Sequence, residues 1–403
     1  MASLLRWALR AGKQAPSPPH HFPRPGYRLP ENAPPIEEEV FAHYSPSLFY
    51  PIRIGEVLNA RYQVVGKLGY GSNSTVWLCR DLTAHSYVTV KVCNARSSEN
   101  EIKAYTHLDS IKTNHAGRLL VRKLEDSFEL NGTSGKFSCL VHKPLSVSLR
   151  HLRKKCLNER MPLPLLKATL VHILMALDFL HSEAHLIHTD LQEKNIILGL
   201  EDDSVLKAFE NAERQDPSPY RSYGDRIIYR SRALEMPKKH GRPTITDFGE
   251  ARFGQSEYDD DIQPFEYRAP EVIFAVPWSC KVDIWNVGVL TWDLFEGKNL
   301  FRTKGPDGED STPLHVAQMI ALLGPPPTEL LQRSPRISEF FDAEGKWKGL
   351  ATIPQTSLED LEENLHGEEK TRFLIFVRKM LQWNAEDRPS ARELLEDPWF
   401  DKE

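Results

Sequence analysis

What this chain has little of narrows it first. Cysteine is scarce: Cys79, Cys93, Cys139, Cys156 and Cys280 stand alone, with no Cys-x-x-Cys pair and no Cys/His cluster. That excludes a disulfide framework and a structural zinc site, and it fits reduced thiols inside a cell. No apolar run reaches the length expected of a membrane span. Charge of one sign is lacking too. Lys and Arg number 51 against 56 Asp and Glu, a net charge of −5, which disfavours a general nucleic-acid binder. There is no internal repeat and therefore no solenoid.

Acid is missing from the N-terminus. No Asp or Glu precedes Glu31, while Arg6, Arg10 and Lys13 punctuate Leu4, Leu5, Trp7 and Leu9. Two readings stay open: an amphipathic mitochondrial transit segment or a disordered basic tail. The proline-rich stretch from Ala15 to Pro35 reads as an extended, unpacked linker.

What is present is a globular chain of 403 residues, 40% hydrophobic and 27% charged. That is long enough for two domains or one two-lobed enzyme. Arg61–Leu68, Ser74–Cys79 and Tyr87–Val92 read as strands, and Leu119–Val141 as further strands. Ser97–Leu108 reads as a helix, capped by Ser97 or Ser98. From Leu163 apolar residues recur at three- and four-residue steps. Lys281–Glu296, Pro313–Leu323, Glu368–Leu381 and Ala391–Glu396 read as further helices. The expected division is a tail over 1–49, a small lobe over 50–145 and a larger lobe over 146–403 with an insert at about 199–243. That insert exceeds a hairpin connection by about forty residues, and loose structure with no specific job is expected for it.

Two motifs carry the chemistry. His188-Thr-Asp-Leu-Gln-Glu-Lys-Asn195 places an aspartate five residues before an asparagine, and Thr246-Asp-Phe-Gly249 follows downstream. Together they can hold a hydroxyl nucleophile beside a divalent cation and a nucleotide's phosphates. Asp190 is the candidate catalytic residue, aligning the hydroxyl and accepting its proton. Asn195 and Asp247 are the candidate metal ligands. Gly69-Tyr-Gly-Ser-Asn-Ser-Thr-Val76 is a glycine-rich turn whose backbone can bend over phosphates. Lys91 follows in an apolar strand, where an unpaired ammonium would be costly. Glu101 is its expected partner, with Glu99 the competing choice. Tyr267-Arg-Ala-Pro-Glu271 closes a lid segment. Glu271 is expected to pair with Arg388, and Asp283 to accept hydrogen bonds from the catalytic-loop backbone.

On these motifs the chain, from about Arg61 to Phe400, resembles eukaryotic protein kinases. Thr189, Ser74-Thr-Val-Trp77, Asp261-Ile-Gln263 and the long insert resemble the kinases of serine/arginine-rich splicing factors, in a compact, fungal-type form. The resemblance implies an α+β, two-lobed fold, with a small N-terminal antiparallel sheet carrying one main helix and a larger, mainly helical C-terminal lobe. It implies ATP, Mg2+ and transfer to serine or threonine of a protein substrate, extending to arginine/serine-rich proteins and mRNA processing. Lys91 and Glu101 join Asp190 as its catalytic set. Leu68, Gly69, Tyr70, Gly71, Ser72, Asn73, Ser74, Val76, Lys91, Lys143, Leu145 and Ile197 are its ATP-binding set. Cytoplasm and nucleus are the implied compartments, with the mitochondrion open through residues 1–13.

The chain departs from the pattern where Gln192 replaces a lysine and Thr89 a small apolar residue. Only Glu309 and Asp310 remain of an acidic docking stretch, with Thr312, Pro313, Leu314 and Ala321 alongside. Two other readings therefore stand beside the kinase: a nucleotide-binding pseudokinase scaffold, and a small-molecule phosphotransferase on the same fold.

Overall fold

A computed structural model describes residues 15–22, 26–30, 32–94, 99–132, 135–224, 226–254 and 257–401. Residues 1–13, read as transit segment or tail, lie outside these, as do the candidate caps Ser97 and Ser98. The described chain divides into two compact units. The first comprises residues up to Ile102, Lys123–Ser146 and Leu200–His240; the second Lys103–Arg122, Val147–Gly199 and the chain from Gly241 onward.

The first unit is built on six strands: β1 (Val57–Leu58), β2 (Tyr62–Gly71), β3 (Ser74–Asp81), β4 (Ser86–Cys93), β5 (Asp126–Gly132) and β6 (Gly135–His142). They form one antiparallel sheet in the order β1-β2-β3-β4-β6-β5. Side chains alternate across the pleat. Val64, Trp77, Cys79, Val90 and Val141 bury on one face, and Val65 and Leu78 on the other.

Here the structure departs from expectation. Residues 200–240 are not loose, and they belong to the first unit rather than to the larger lobe. Ser204–Gln215 is a helix whose Val205, Leu206 and Phe209 bury against Val65 and Leu78. Tyr220–Tyr223 and Arg226–Tyr229 pair as a hairpin, which sets Tyr229, Tyr220 and Ile227 against the opposite core. The insert thus supplies apolar cover to both faces of the sheet.

The described residues of the proline-rich stretch are extended but packed. Tyr220 N donates to Tyr27 O at 2.9 Å, and Leu29 N donates to Tyr220 O at 2.8 Å. His20 N donates to Gln63 Oε1 at 2.8 Å. Proline lacks a donor but tolerates such edge pairing.

The second unit is mainly helical. Leu163–Ser182 buries Leu166, Leu170, Ile173, Leu174 and Leu177. It is, against expectation, long and apolar enough on length and composition alone to cross a membrane; these buried residues instead make it a core helix. Lys281–Glu296 is buried on nearly every side and ends at Gly297, whose φ of 70° suits a residue without a Cβ. Thr312–Leu323 begins at Ser311, whose side chain accepts from Leu314 N. Gly367–Met380 and Ala391–Leu395 complete the expected helices.

Candidate active site

The site residues fall in both units, and each half is built locally. In the first unit, β2 runs through Gly71 and β3 begins at Ser74, so the glycine-rich turn is a hairpin tip at Ser72-Asn73. A Cβ at Gly69 would meet nothing within 4 Å, and one at Gly71 would meet only Ser74 Oγ at 3.8 Å. The glycine face of the turn is therefore open, as close approach to a phosphate requires. Lys91 sits in β4 opposite Val76 of β3 and Leu140 of β6. Its Nζ lies 2.8 Å from Glu101 Oε2 and 2.9 Å from Oε1, so the structure pairs it with Glu101. Glu101 is buried and Lys91 partly so, which makes this a desolvated ion pair. Thr89 is buried in β4, opposite His142. Lys143 and Leu145 directly follow β6.

In the second unit the catalytic loop is pinned from beneath. Asp283 Oδ2 accepts from His188 N and Oδ1 from Thr189 N, both at 2.9 Å. His181 Nε2 lies 2.9 Å from the same carboxylate. Burial by itself raises the Asp283 pKa, but the His181 hydrogen bond and nearby charge bring it below the usual carboxylate range. His188 Nε2 donates to Thr246 O at 3.0 Å, and its Nδ1 accepts from Asp190 N at 3.2 Å. These contacts fix one tautomer and tie the two motifs together. Thr246 N and Oγ1 both donate to Asn195 O, at 2.9 and 3.0 Å. Asp247 follows with a φ of 67°, and Thr189 shares that value. Left-handed backbone at a β-branched residue costs about 1–3 kcal/mol. Asp283 and the 2.7 Å bond from Thr189 Oγ1 to Glu250 O hold it there.

Asp190 has both carboxylate oxygens engaged. Asn195 Nδ2 donates to Oδ2 at 2.6 Å and to Asp190 O at 2.8 Å, and Gln192 Nε2 donates to Oδ1. Asn195 thus spends its amide nitrogen on the aspartate and retains a carbonyl oxygen. With the Asp247 carboxylate, this is an oxygen donor set of the kind a hard cation takes. Among the described residues no group of three His, Cys, Asp or Glu gathers as a protein-only metal cage. A magnesium site completed by phosphates and water needs none. Ile197, two residues past Asn195 in the chain, forms an isolated antiparallel bridge with Ser148.

The lid segment is anchored through its own side chains. Arg388 is fully buried and forks onto Glu271 at 2.6 and 2.7 Å. Tyr267 OH donates to Asp293 Oδ2 at 2.9 Å, and Asn286 Nδ2 donates to Tyr267 O at 2.7 Å. Gln263 donates to Val282 O at 3.1 Å and accepts from Ala269 N at 2.9 Å. Burial raises the Asp293 pKa to about 8. Sequence reasoning missed the roles of Gln192, His181 and Gln263. His181 and Asp283 are far apart in the chain, and no local pattern links them.

The chain belongs to the protein kinase family: the model of the protein kinase domain matches residues 62–400. Within it, the chain is 46% identical over 393 residues to a serine/threonine protein kinase of Aspergillus fumigatus, covering 96% of each chain. It is 30% identical over 396 residues to the serine/threonine-protein kinase SRPK of Physarum polycephalum, covering 90% of this chain and 91% of that one. The crystal structure of a kinase domain superposes with a TM-score of 0.67 at 23% identity, over 88% of this chain and 99% of the other, which is a likeness of fold. The protein is a serine/threonine protein kinase, related to the splicing-factor kinases at lower identity. Nothing in these likenesses favours the pseudokinase reading.

Proposed function

We propose that the enzyme transfers the γ-phosphoryl group of ATP to serine or threonine hydroxyls, with arginine/serine-rich proteins among its substrates. The observation that carries the reading is the Asp190 carboxylate, held by Asn195 and Gln192 on a loop pinned by Asp283. In the transfer the bond from the γ-phosphorus to the ADP oxygen breaks and a bond to the substrate oxygen forms. The hydroxyl proton passes to Asp190. Asn195 and Asp247 would hold Mg2+, which neutralises developing phosphate charge when bound. Lys91, oriented by Glu101, would bind the α- and β-phosphates.

Relatives named SRPK in Physarum and SRSF protein kinase 3 in mouse support arginine/serine-rich substrates. The docking stretch tempers the preference. Asp310 is engaged by Thr303 at 3.2 Å and by Lys304 at 3.7 Å, which leaves less carboxylate for an arginine-rich peptide. Cytoplasm and nucleus are the proposed compartments.

The test is γ-phosphate transfer with Mg-ATP to an arginine/serine peptide, a generic basic peptide and an acidic one. Asp190→Asn, which keeps the fold, should bind nucleotide and transfer nothing. Activity surviving in that variant would overturn the assignment of Asp190. Preference for another peptide would overturn the substrate class.

A further inference from the structure

A segment that precedes the matched domain grips the glycine-rich turn at three points. Lys67, in the β2 stem of that turn, is 1% exposed. Its ammonium lies 3.1 Å from Glu37 Oε2 and contacts Glu38 Oε2 directly. It also stands 5.3 Å from the centre of the Tyr70 ring, between the two glycines. Phe41 meets that ring edge-on at 6.0 Å. His43 stacks on Phe41 and donates from Nε2 to Ser72 O at 3.3 Å.

The insert holds the other side of the same segment. Arg226 lies 3.4 Å from Glu38 Oε1, and Arg221 lies 3.4 Å from Glu39. Ser231 donates from N and Oγ to Glu37 at 2.9 and 2.6 Å. Arg226 also donates to Pro46 O and Phe49 O. Three buried carboxylates thus meet Lys67, Arg221 and Arg226. Buried ions of this kind are strongly destabilising when one partner is lost, so the members depend on one another.

We infer that residues 37–43 form a strap, locked by the insert, that positions the glycine-rich turn for nucleotide. The inference rests on the proposed binding of ATP by that turn. Gly69 and Gly71 leave one side of the tip open. Tyr70 and Ser72 are held on the strap side. Glu38, Phe41 and His43 are positioning residues in this scheme. They touch the turn and act on nucleotide only through it.

The test compares wild type with two variants, using a fluorescent ATP analogue for binding and peptide phosphorylation for rate. Phe41→Ala/His43→Ala releases the tip and leaves the buried ion cluster intact, so folding is preserved. Glu38→Gln weakens the stem, and Glu38→Asp serves as the conservative rescue. The double variant should raise the KM for ATP and the analogue's Kd about five-fold, the size of effect an aromatic edge contact supplies. Its kcat at saturating ATP should change less than about two-fold, with thermal midpoint unchanged. Glu38→Gln should raise the same KM, and Glu38→Asp should restore part of it. Unchanged ATP parameters in the double variant and in Glu38→Gln would overturn the strap alone. A wild type that binds no nucleotide would overturn the ATP reading and the strap with it.

Discussion

Glu271→Gln should destabilise the second unit by about 3–5 kcal/mol, because it strips the counter-charge from a guanidinium that has left water. Arg388 has five N–H donors, and the structure accounts for each. Nη1 donates to Glu271 Oε1 at 2.6 Å and to Lys281 O at 3.0 Å. Nη2 donates to Glu271 Oε2 at 2.7 Å and to Gln382 O at 3.0 Å, and Nε donates to Gln382 O at 3.1 Å. Carbonyl oxygens can share the proton donors, but only Glu271 supplies the opposite charge in that set. A glutamine keeps the shape, turns one acceptor into a donor facing the guanidinium, and leaves the cation buried. Trp285 lies 5.1 Å from the guanidinium carbon and is a local reporter. Urea denaturation followed by tryptophan fluorescence should show the midpoint falling by about 1–2 M at an ordinary slope. The double variant Glu271→Leu/Arg388→Met removes both charges and should recover most of the loss. A cost below about 1 kcal/mol for Glu271→Gln would refute the claim that this pair is dry and mutually required.

Other outcomes follow from the same geometry. Gln192→Ala should lower kcat by about ten-fold with little change in the KM for ATP, since it removes a partner from the Asp190 carboxylate; steady-state kinetics checks this. Phe209→Ala should cost the first unit about 3–5 kcal/mol, because the ring is buried against Val65 and Leu78, and calorimetry should show that unit melting earlier. His315 is fully buried, and burial pushes its pKa down to about 3. A lowered pKa means the unfolded chain binds the proton first, so stability is lost as pH falls below about 6.5. The loss is about 1.4 kcal/mol at pH 5.5 relative to a neutral side chain. Asp293, with its raised pKa, acts in the opposite direction over the same range, so the reading is the difference between two proteins: in urea titrations, wild type should change from pH 7.5 to 5.5 by about 1.4 kcal/mol less favourably than His315→Leu.

Much of this architecture was legible in the residues because the signals were local. The glycines of Gly69–Gly71, the alternation of Tyr87–Val92 and the helical spacing after Leu163 each depend on near neighbours. Asp190 and Asn195 declared themselves for the same reason. The insert was opaque because its stability is not local. Val205, Leu206 and Phe209 make sense only against Val65 and Leu78, well over a hundred residues earlier. The Glu37-Glu38-Glu39 run carries no local signal of its role, because its partners Lys67, Arg221 and Arg226 come from two distant places. Gln192 looked like a lost lysine, whereas its amide serves the aspartate two residues before it.

The neck of the insert has a consequence for how such a chain can be remodelled. Gly199 and Gly241 stand so close that a Cβ on Gly241 would come within 2.9 Å of the Gly199 Cα. The excursion therefore leaves and re-enters at nearly one point. A host backbone closed at such a pinch can gain or shed the excursion without moving its own ends. The insert's helix, hairpin and basic side chains then behave as a detachable cassette. Its removal would leave the second unit's backbone continuous, and the cost would fall on the sheet that the cassette covers.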